Sequence, residues 1–280
     1  MRKINVKQIE DALRDMSIKA NLYVGKDVLN AFEESEKKET SAVGRDIIGK
    51  LIKNAEIART EEMPICQDTG MAVVFVEVGQ EVELVGGNIT DAINEGVRRG
   101  YKDGYLRKSV VSDPLIRKNT GDNTPAVIYY DIVPGDQVKI TLAPKGFGSE
   151  NMSRIKMLKP SDGVKGVIDF VVESVSIAGP NPCPPIVVGV GIGGTVDKAT
   201  YLSKKALTRN IGLHNETEHL REIEKELLEK INNLGIGPQG LGGNTTALAV
   251  NVEAFATHIA GLPVAININC HASRHEEVII

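Results

Sequence analysis

Cysteine occurs three times in 280 residues, at Cys66, Cys183 and Cys270, within "MPICQDTG", "GPNPCPPI" and "NINCHASRH". A cysteine that only fills a core sits in mid-strand or mid-helix among aliphatics. Each of these stands instead beside Pro, Gln-Asp or Asn-His, a setting that reads as a loop or strand end presenting a thiol. An odd, sparse set gives no disulfide framework, and the opening "MRKINVKQIEDALRDM" lacks the apolar core of an export signal. The thiols are therefore expected to be reduced and available as ligands. Structural zinc uses four ligands at short spacings, and no C-x-x-C pair occurs here. Three separate thiolates suit a catalytic zinc with an open position or an iron–sulfur cluster, and soft all-sulfur ligation favours the cluster. Three ligands on a four-iron cube leave one iron with an exchangeable position. Such an iron is a Lewis acid that can hold the hydroxyl and carboxylate of a 2-hydroxy acid while water is eliminated.

A second candidate is "GVGIGG" at 189–194, which fits G-x-G-x-x-G between a strand-like run and a helix-like run. That context allows a dinucleotide pyrophosphate on a helix N-terminus, and with it a nicotinamide-dependent oxidoreductase. The following "TRNIGLHNETEHLREIEK" is not a second apolar strand ending in an acid for the ribose, and the motif lies two-thirds along the chain. A tight strand-to-helix turn is the favoured reading. Helix-end amides aimed at a carboxylate or cluster are a third.

These residues must be positioned by the elements around them. Helical spacing runs through the first sixty residues, with Ile9, Leu13, Ile18 and Leu22 as the first stripe. "AVVFVEVG" reads as a buried strand, and "NITDAINEGVRRGYKDG" as a helix capped by Asn88 or Thr90. "PAVIYYDIV" and "QVKITLAP" read as two strands joined by a Pro-Gly-Asp turn at 134–136. Helices are expected over "SDGVKGVIDFVVESVSIAG", "TVDKATYLSKKAL" and "ETEHLREIEKELLEKINNLG". The last carries Leu220, Ile223, Leu227, Ile231 and Leu234 on one stripe, and the strands "TTALAVNVEAF" and "LPVAININC" follow it. The fold class is α/β with mixed strand order: one domain over 1–280, with a helical lead-in to about residue 60 and two closely packed lobes.

Composition narrows the partners. With 33 basic and 37 acidic residues the chain carries −4, and aromatics make up 4% with no tryptophan. Neither nucleic acid nor an anionic membrane is favoured by that charge. The apolar runs are too short to span a bilayer, so a cytoplasmic location is expected.

Five blocks then carry a resemblance across nearly the whole chain. They are "PICQDTGMAVVFVEVG", "LRKSVVSDPLIRKNTGDNTPAVIYYDIVPGD", "APKGFGSENMSRIKMLKPSDG", "CPPIVVGVGIGGTVDKATYLSKKAL" and "GIGPQGLGGNTTALAVNVE". Together they resemble the α subunit of class I, iron–sulfur fumarate hydratases, and the α subunit of L-(+)-tartrate dehydratase is similar in the same blocks. The resemblance implies a [4Fe–4S] cluster on Cys66, Cys183 and Cys270. It implies substrate contacts from Gln67 and Asp68, with Asp68 in the proton-transfer network, and carboxylate binding by Arg107. It also implies a substrate-contacting loop "KGFGSEN", through Gly146 or Gly148, and an active-site histidine at His258. Taken singly, Asp68 could cap a turn, Gly146 could close a strand pair, Arg107 could be a surface charge and His258 a core histidine. In this family single-chain members carry a further domain resembling a β subunit, with more basic groups and a catalytic threonine. A β subunit and a small dicarboxylic acid, fumarate or malate ahead of tartrate, are the implied partners. Phe147 within "KGFGSEN" is expected to reshape the pocket edge, and the apolar "EEVII" end suits docking against a partner.

Overall fold

A computed structural model describes residues 1–280. The chain opens with β1 (Arg2–Asn5), α1 (Val6–Leu22), α2 (Lys26–Lys38) and α3 (Ala42–Thr60). Next come β2 (Met71–Gly79), β3 (Val82–Val85), α4 (Ile89–Asp103), β4 (Val127–Val133) and β5 (Val138–Lys145). The short α5 (Phe147–Glu150) precedes β6 (Arg154–Leu158), α6 (Gly163–Ala178), β7 (Ile186–Gly193) and α7 (Val196–Ala206). α8 (Glu218–Asn232), β8 (Ala247–Phe255), β9 (Leu262–Asn269) and β10 (Glu276–Ile279) complete it. These elements form two compact units, each discontinuous in sequence. The first comprises Met1–Val24, Ile57–Phe147 and Arg274–Ile280; the second comprises Gly25–Glu56 and Gly148–Ser273.

In the first unit the sheet order is β10-β5-β2-β4, with β2 parallel to β4 and antiparallel to β5. The Pro-Gly-Asp turn therefore does not close a hairpin, because β2 lies between the two strands it joins. The reason is burial. Val73, Val74, Phe75 and Val76 are all buried, so β2 must take a central position with neighbours on both edges. Val74, Ile140 and Leu142 are fully buried, each contributing about 1.5–3 kcal/mol of apolar transfer energy. Ile9, Leu13 and Leu22 of the expected α1 stripe are buried, together with Met16 and Ala20, while Ile18 is half-buried. Helix α4 crosses α1 at glycine: a Cβ at Gly100 would lie 2.6 Å from Ser17 Cβ. The "EEVII" end forms β10, the edge strand that pairs with β5.

The second unit has sheet order β6-β9-β7-β8, with β7 parallel to β8 and antiparallel to β9. Val188 and Val190 of β7 pack with α6 and α8 through Phe170, Val171, Leu227 and Ile231. Val187, one residue out of phase, packs on the opposite face with Leu207 and Ala249. Gly189 and Gly191 share that second face. A Cβ at Gly191 would lie 2.0 Å from the Ala199 carbonyl of α7, and one at Gly189 would lie 2.1 Å from the Ser203 carbonyl. Gly189 and Gly191 thus let α7 approach the strand. No helix in the chain is long and apolar enough to cross a membrane.

Candidate active site

The first unit presents one organised cluster of polar side chains, on the loop between α3 and β2. Cys66, Gln67 and Asp68 lie in it consecutively. The main-chain N–H of Asp68 donates to Cys66 Sγ over 3.4 Å, so the sulfur is held by the turn of its own loop. Both oxygens of the Asp68 carboxylate accept main-chain donors, Oδ1 from Gly70 N–H (3.0 Å) and Oδ2 from Phe147 N–H (2.9 Å). The carboxylate is thereby fixed in orientation. Gly146 matters because of this approach, since a Cβ there would lie 3.2 Å from Asp68 Oδ2. Phe147 stands half exposed beside that carboxylate.

Arg107 reaches the same loop, its Nη1 donating to Gln67 Oε1 at 3.1 Å. Its main chain is locked by Thr69, whose hydroxyl accepts from Arg107 N–H (2.9 Å) and donates to the Arg107 carbonyl (3.1 Å). Asn123, fully buried at φ 64°, extends the brace. It accepts from Ser109 and Val110 N–H through Oδ1 and donates to the Gly70 carbonyl through Nδ2. Next to it, burial tends to raise the Asp122 carboxyl. The Arg98 guanidinium (2.8 Å) and the Thr124 amide and hydroxyl outweigh that and hold it down at about 2.

The second unit presents Cys183, exposed at φ 55° in the left-handed region that few non-glycine residues adopt, and Cys270 just past the end of β9. Their loops are joined: His271 N–H donates to the Cys183 carbonyl over 3.2 Å. Gln239 N–H and Nε2 both donate to the Pro184 carbonyl, at 2.8 and 2.7 Å, and His271 Nδ1 lies 3.2 Å from Gln239 Nε2. Gly148 is open, its nearest neighbour being the Asn181 carbonyl two residues before Cys183. His258 is elsewhere. It lies in an exposed loop beyond β8, and strand register pairs Gly193 with Phe255 while Cys183 precedes Ile186 at the other end of β7. Seven residues of strand separate the two ends, roughly 20 Å. His258 shares a concavity of about 530 Å³ with Gly194, Thr195, Lys198 and Phe255, at the start of α7.

A three-thiolate cluster can be tested against this donor set. All three cysteines are at least partly accessible, each outside regular secondary structure, and one accepts an N–H on sulfur. Those are properties of soft ligands held ready, and the set fits an iron–sulfur group. Neither unit alone brings three His, Cys, Asp or Glu side chains together around one metal position. The glycine motif fits its dinucleotide reading poorly, because Gly189 and Gly191 lie within β7 under α7 and only Gly193 and Gly194 form the turn.

Thr69 and Asn123 went unnoticed in the sequence, as did Tyr101 and Arg274, which donate to the Thr69 and Asp68 carbonyls. Their contacts are long-range, and only the turn-forming Gly, Asp, Asn and Pro of "TGDNTP" hinted that a loop here needed bracing.

Comparison with known proteins places the chain in a family. The sequence profile of the fumarate hydratase (Fumerase) family matches residues 10–279. A protein of Methanocaldococcus jannaschii named as a putative L(+)-tartrate dehydratase subunit alpha is 46% identical over 275 residues, covering 95% of each chain. The L(+)-tartrate dehydratase subunit alpha of Escherichia coli O157:H7 is 36% identical over 258 residues, covering 91% of this chain and 84% of its own. On that coverage the chain belongs to the fumarate hydratase (Fumerase) family, a family of hydro-lyases.

Proposed function

We propose that this chain is the α subunit of an iron–sulfur hydro-lyase that interconverts fumarate and L-malate together with a β subunit. The observation that carries the reading is the Cys66–Gln67–Asp68 loop. It sets a sulfur ligand, an amide and a fixed carboxylate side by side, with Arg107 drawn onto the amide. A [4Fe–4S] cluster held by Cys66, Cys183 and Cys270 would supply a Lewis-acidic iron for the poor hydroxide leaving group. Arg107 binds one carboxylate of the dianionic substrate, and Gln67 orients it. Asp68 holds or passes a proton at Oδ1 or Oδ2, and its two N–H contacts keep the carboxylate aimed during that transfer. Gly146 leaves room for the Asp68 carboxylate, and Gly148 leaves open space for substrate. The β subunit, implied by the "subunit alpha" names of the relatives, brings the remaining groups, the C3 base among them. His258 lies at the far end of the sheet from its own Cys183 and Cys270, so its part in catalysis is at the site of a second copy. Such an enzyme works in the cytoplasm, in the tricarboxylic acid cycle.

A second reading, L-(+)-tartrate dehydratase, is favoured by the names of the curated relatives. The two substrates differ by one hydroxyl. The test is turnover by the anaerobically assembled α–β complex with L-malate, fumarate and L-(+)-tartrate. A higher kcat/KM for malate and fumarate supports the first reading, and the reverse order selects the second. Turnover of none of them by a complex with full cluster content would remove both.

A further inference from the structure

The loop that carries Cys66 and Asp68 turns its later carbonyls inward, and a buried donor meets each. The Thr69 and Gly70 carbonyls accept from the Tyr101 hydroxyl at 2.7 and 3.0 Å, and the Gly70 carbonyl also accepts from Asn123 Nδ2 at 3.1 Å. Burial pushes the Tyr101 hydroxyl far above its ordinary range, more than the nearby Arg274 charge lowers it, so it stays a protonated donor. The Asp68 carbonyl accepts from Arg274 Nη2. This last anchor is unlike the others. Arg274 is only 5% exposed, and its Nε and Nη1 have no hydrogen-bond partner. A buried guanidinium normally stands against a carboxylate, because an unpaired buried charge is costly. Here its partner is a neutral carbonyl, that of the residue with the site's fixed carboxylate.

We propose that Arg274 is a positioning residue for Asp68. It clamps the main chain of Asp68 from the protein interior, and its unbalanced positive charge offsets the negative charge that gathers when a dicarboxylate enters beside the Asp68 carboxylate. The Asp68 side chain is held at its oxygens by Gly70 and Phe147, and its backbone is held by Arg274. Release of that third hold lets the carboxylate drift while substrate contacts through Arg107 persist. The proposal rests on the hydro-lyase reading.

The experiment compares Arg274→Gln and Arg274→Lys with the unaltered chain in the anaerobic α–β complex. Iron, sulfide, kcat and KM are measured on each preparation. Arg274→Gln should lower kcat roughly 10–100-fold with KM within about threefold and cluster content unchanged, and Arg274→Lys should recover part of that loss. A raised KM at unchanged kcat would make Arg274 a substrate-carboxylate seat and overturn the positioning role. Full turnover by Arg274→Gln would make it an interior filler and overturn it as well. If Arg274→Gln does not assemble, Arg274→Lys decides: an ammonium cannot reproduce the fork, so full turnover with full cluster content overturns the proposal. Absence of turnover in the unaltered, cluster-replete complex would instead overturn the hydro-lyase reading, and this role with it.

Discussion

His271 donates its main-chain N–H to the Cys183 carbonyl over 3.2 Å, so the loop before β7 and the loop after β9 are bonded directly behind two of the three thiols. Gln239 braces the same junction through the Pro184 carbonyl. The main chain at Cys183 and next to Cys270 is therefore set by a shared hydrogen-bonded scaffold. Cys183→Ser should lose cluster and activity together. Gln239→Ala should keep the thiols but shed iron faster, by about tenfold, as loss of supporting contacts does at other metal sites. Iron retention during anaerobic gel filtration measures both, and a Cys183→Ser chain with full iron would remove that ligand from the account.

Asp68→Asn preserves the acceptor at Oδ1 for Gly70 but removes the group able to take a proton. Turnover should fall on the order of 10²–10⁴-fold with cluster content intact. Steady-state kinetics beside iron analysis reads the result, and unchanged kcat would take Asp68 out of the proton network.

Co-assembly can show whether His258 acts across copies. Chains with Cys183→Ser and chains with His258→Ala, each inactive alone, should regain activity when mixed, up to about a quarter of normal for random pairing into dimers. A histidine serving its own chain's cysteine loops would give no recovery.

Glycines of the β7 motif should behave as packing positions. Gly191→Ala drives a methyl into the Ala199 carbonyl and should cost about 1–3 kcal/mol or more, read as a lower melting temperature. Added nicotinamide dinucleotide should not restore the loss. Stabilisation by the dinucleotide would revive the phosphate-loop reading.

Asp122 gives a pH signature. Its folded carboxyl lies at about 2, below the ordinary value near 3.8, so the group stabilises the fold above the ordinary value and loses that contribution as pH falls through about 2. Asp122→Asn should cost of order 1–2 kcal/mol near neutrality and should flatten stability between about pH 4 and pH 2. Denaturant titration at several pH values checks the slope.

Much of the architecture is legible in the sequence because periodicity reports burial. Leu220, Ile223, Leu227 and Ile231 are buried on α8 as their spacing implies, and Asn88 caps α4 through Thr90 and Asp91 N–H. Strand pairing is not local, so the Pro-Gly-Asp turn suggested a hairpin where β2 intervenes. The edge strands β6 and β10 escaped notice because half-exposed strands lack a long apolar run. In the candidate site, backbone-controlled loops flagged the cysteines, and family blocks flagged Gln67, Asp68 and Arg107. Thr69, Asn123 and Arg274 act on residues far along the chain, and no spacing rule reaches 206 positions from Asp68 to Arg274.

The proposed function depends on three loop thiols holding a cluster with one iron free of protein ligands. Iron and acid-labile sulfide in the anaerobically purified protein, followed by electron paramagnetic resonance after brief mild oxidation, test it most directly. About four iron and four sulfide per chain are expected, with a three-iron signal as the unliganded iron leaves first. Zinc in their place, or no metal after anaerobic reconstitution, would contradict it.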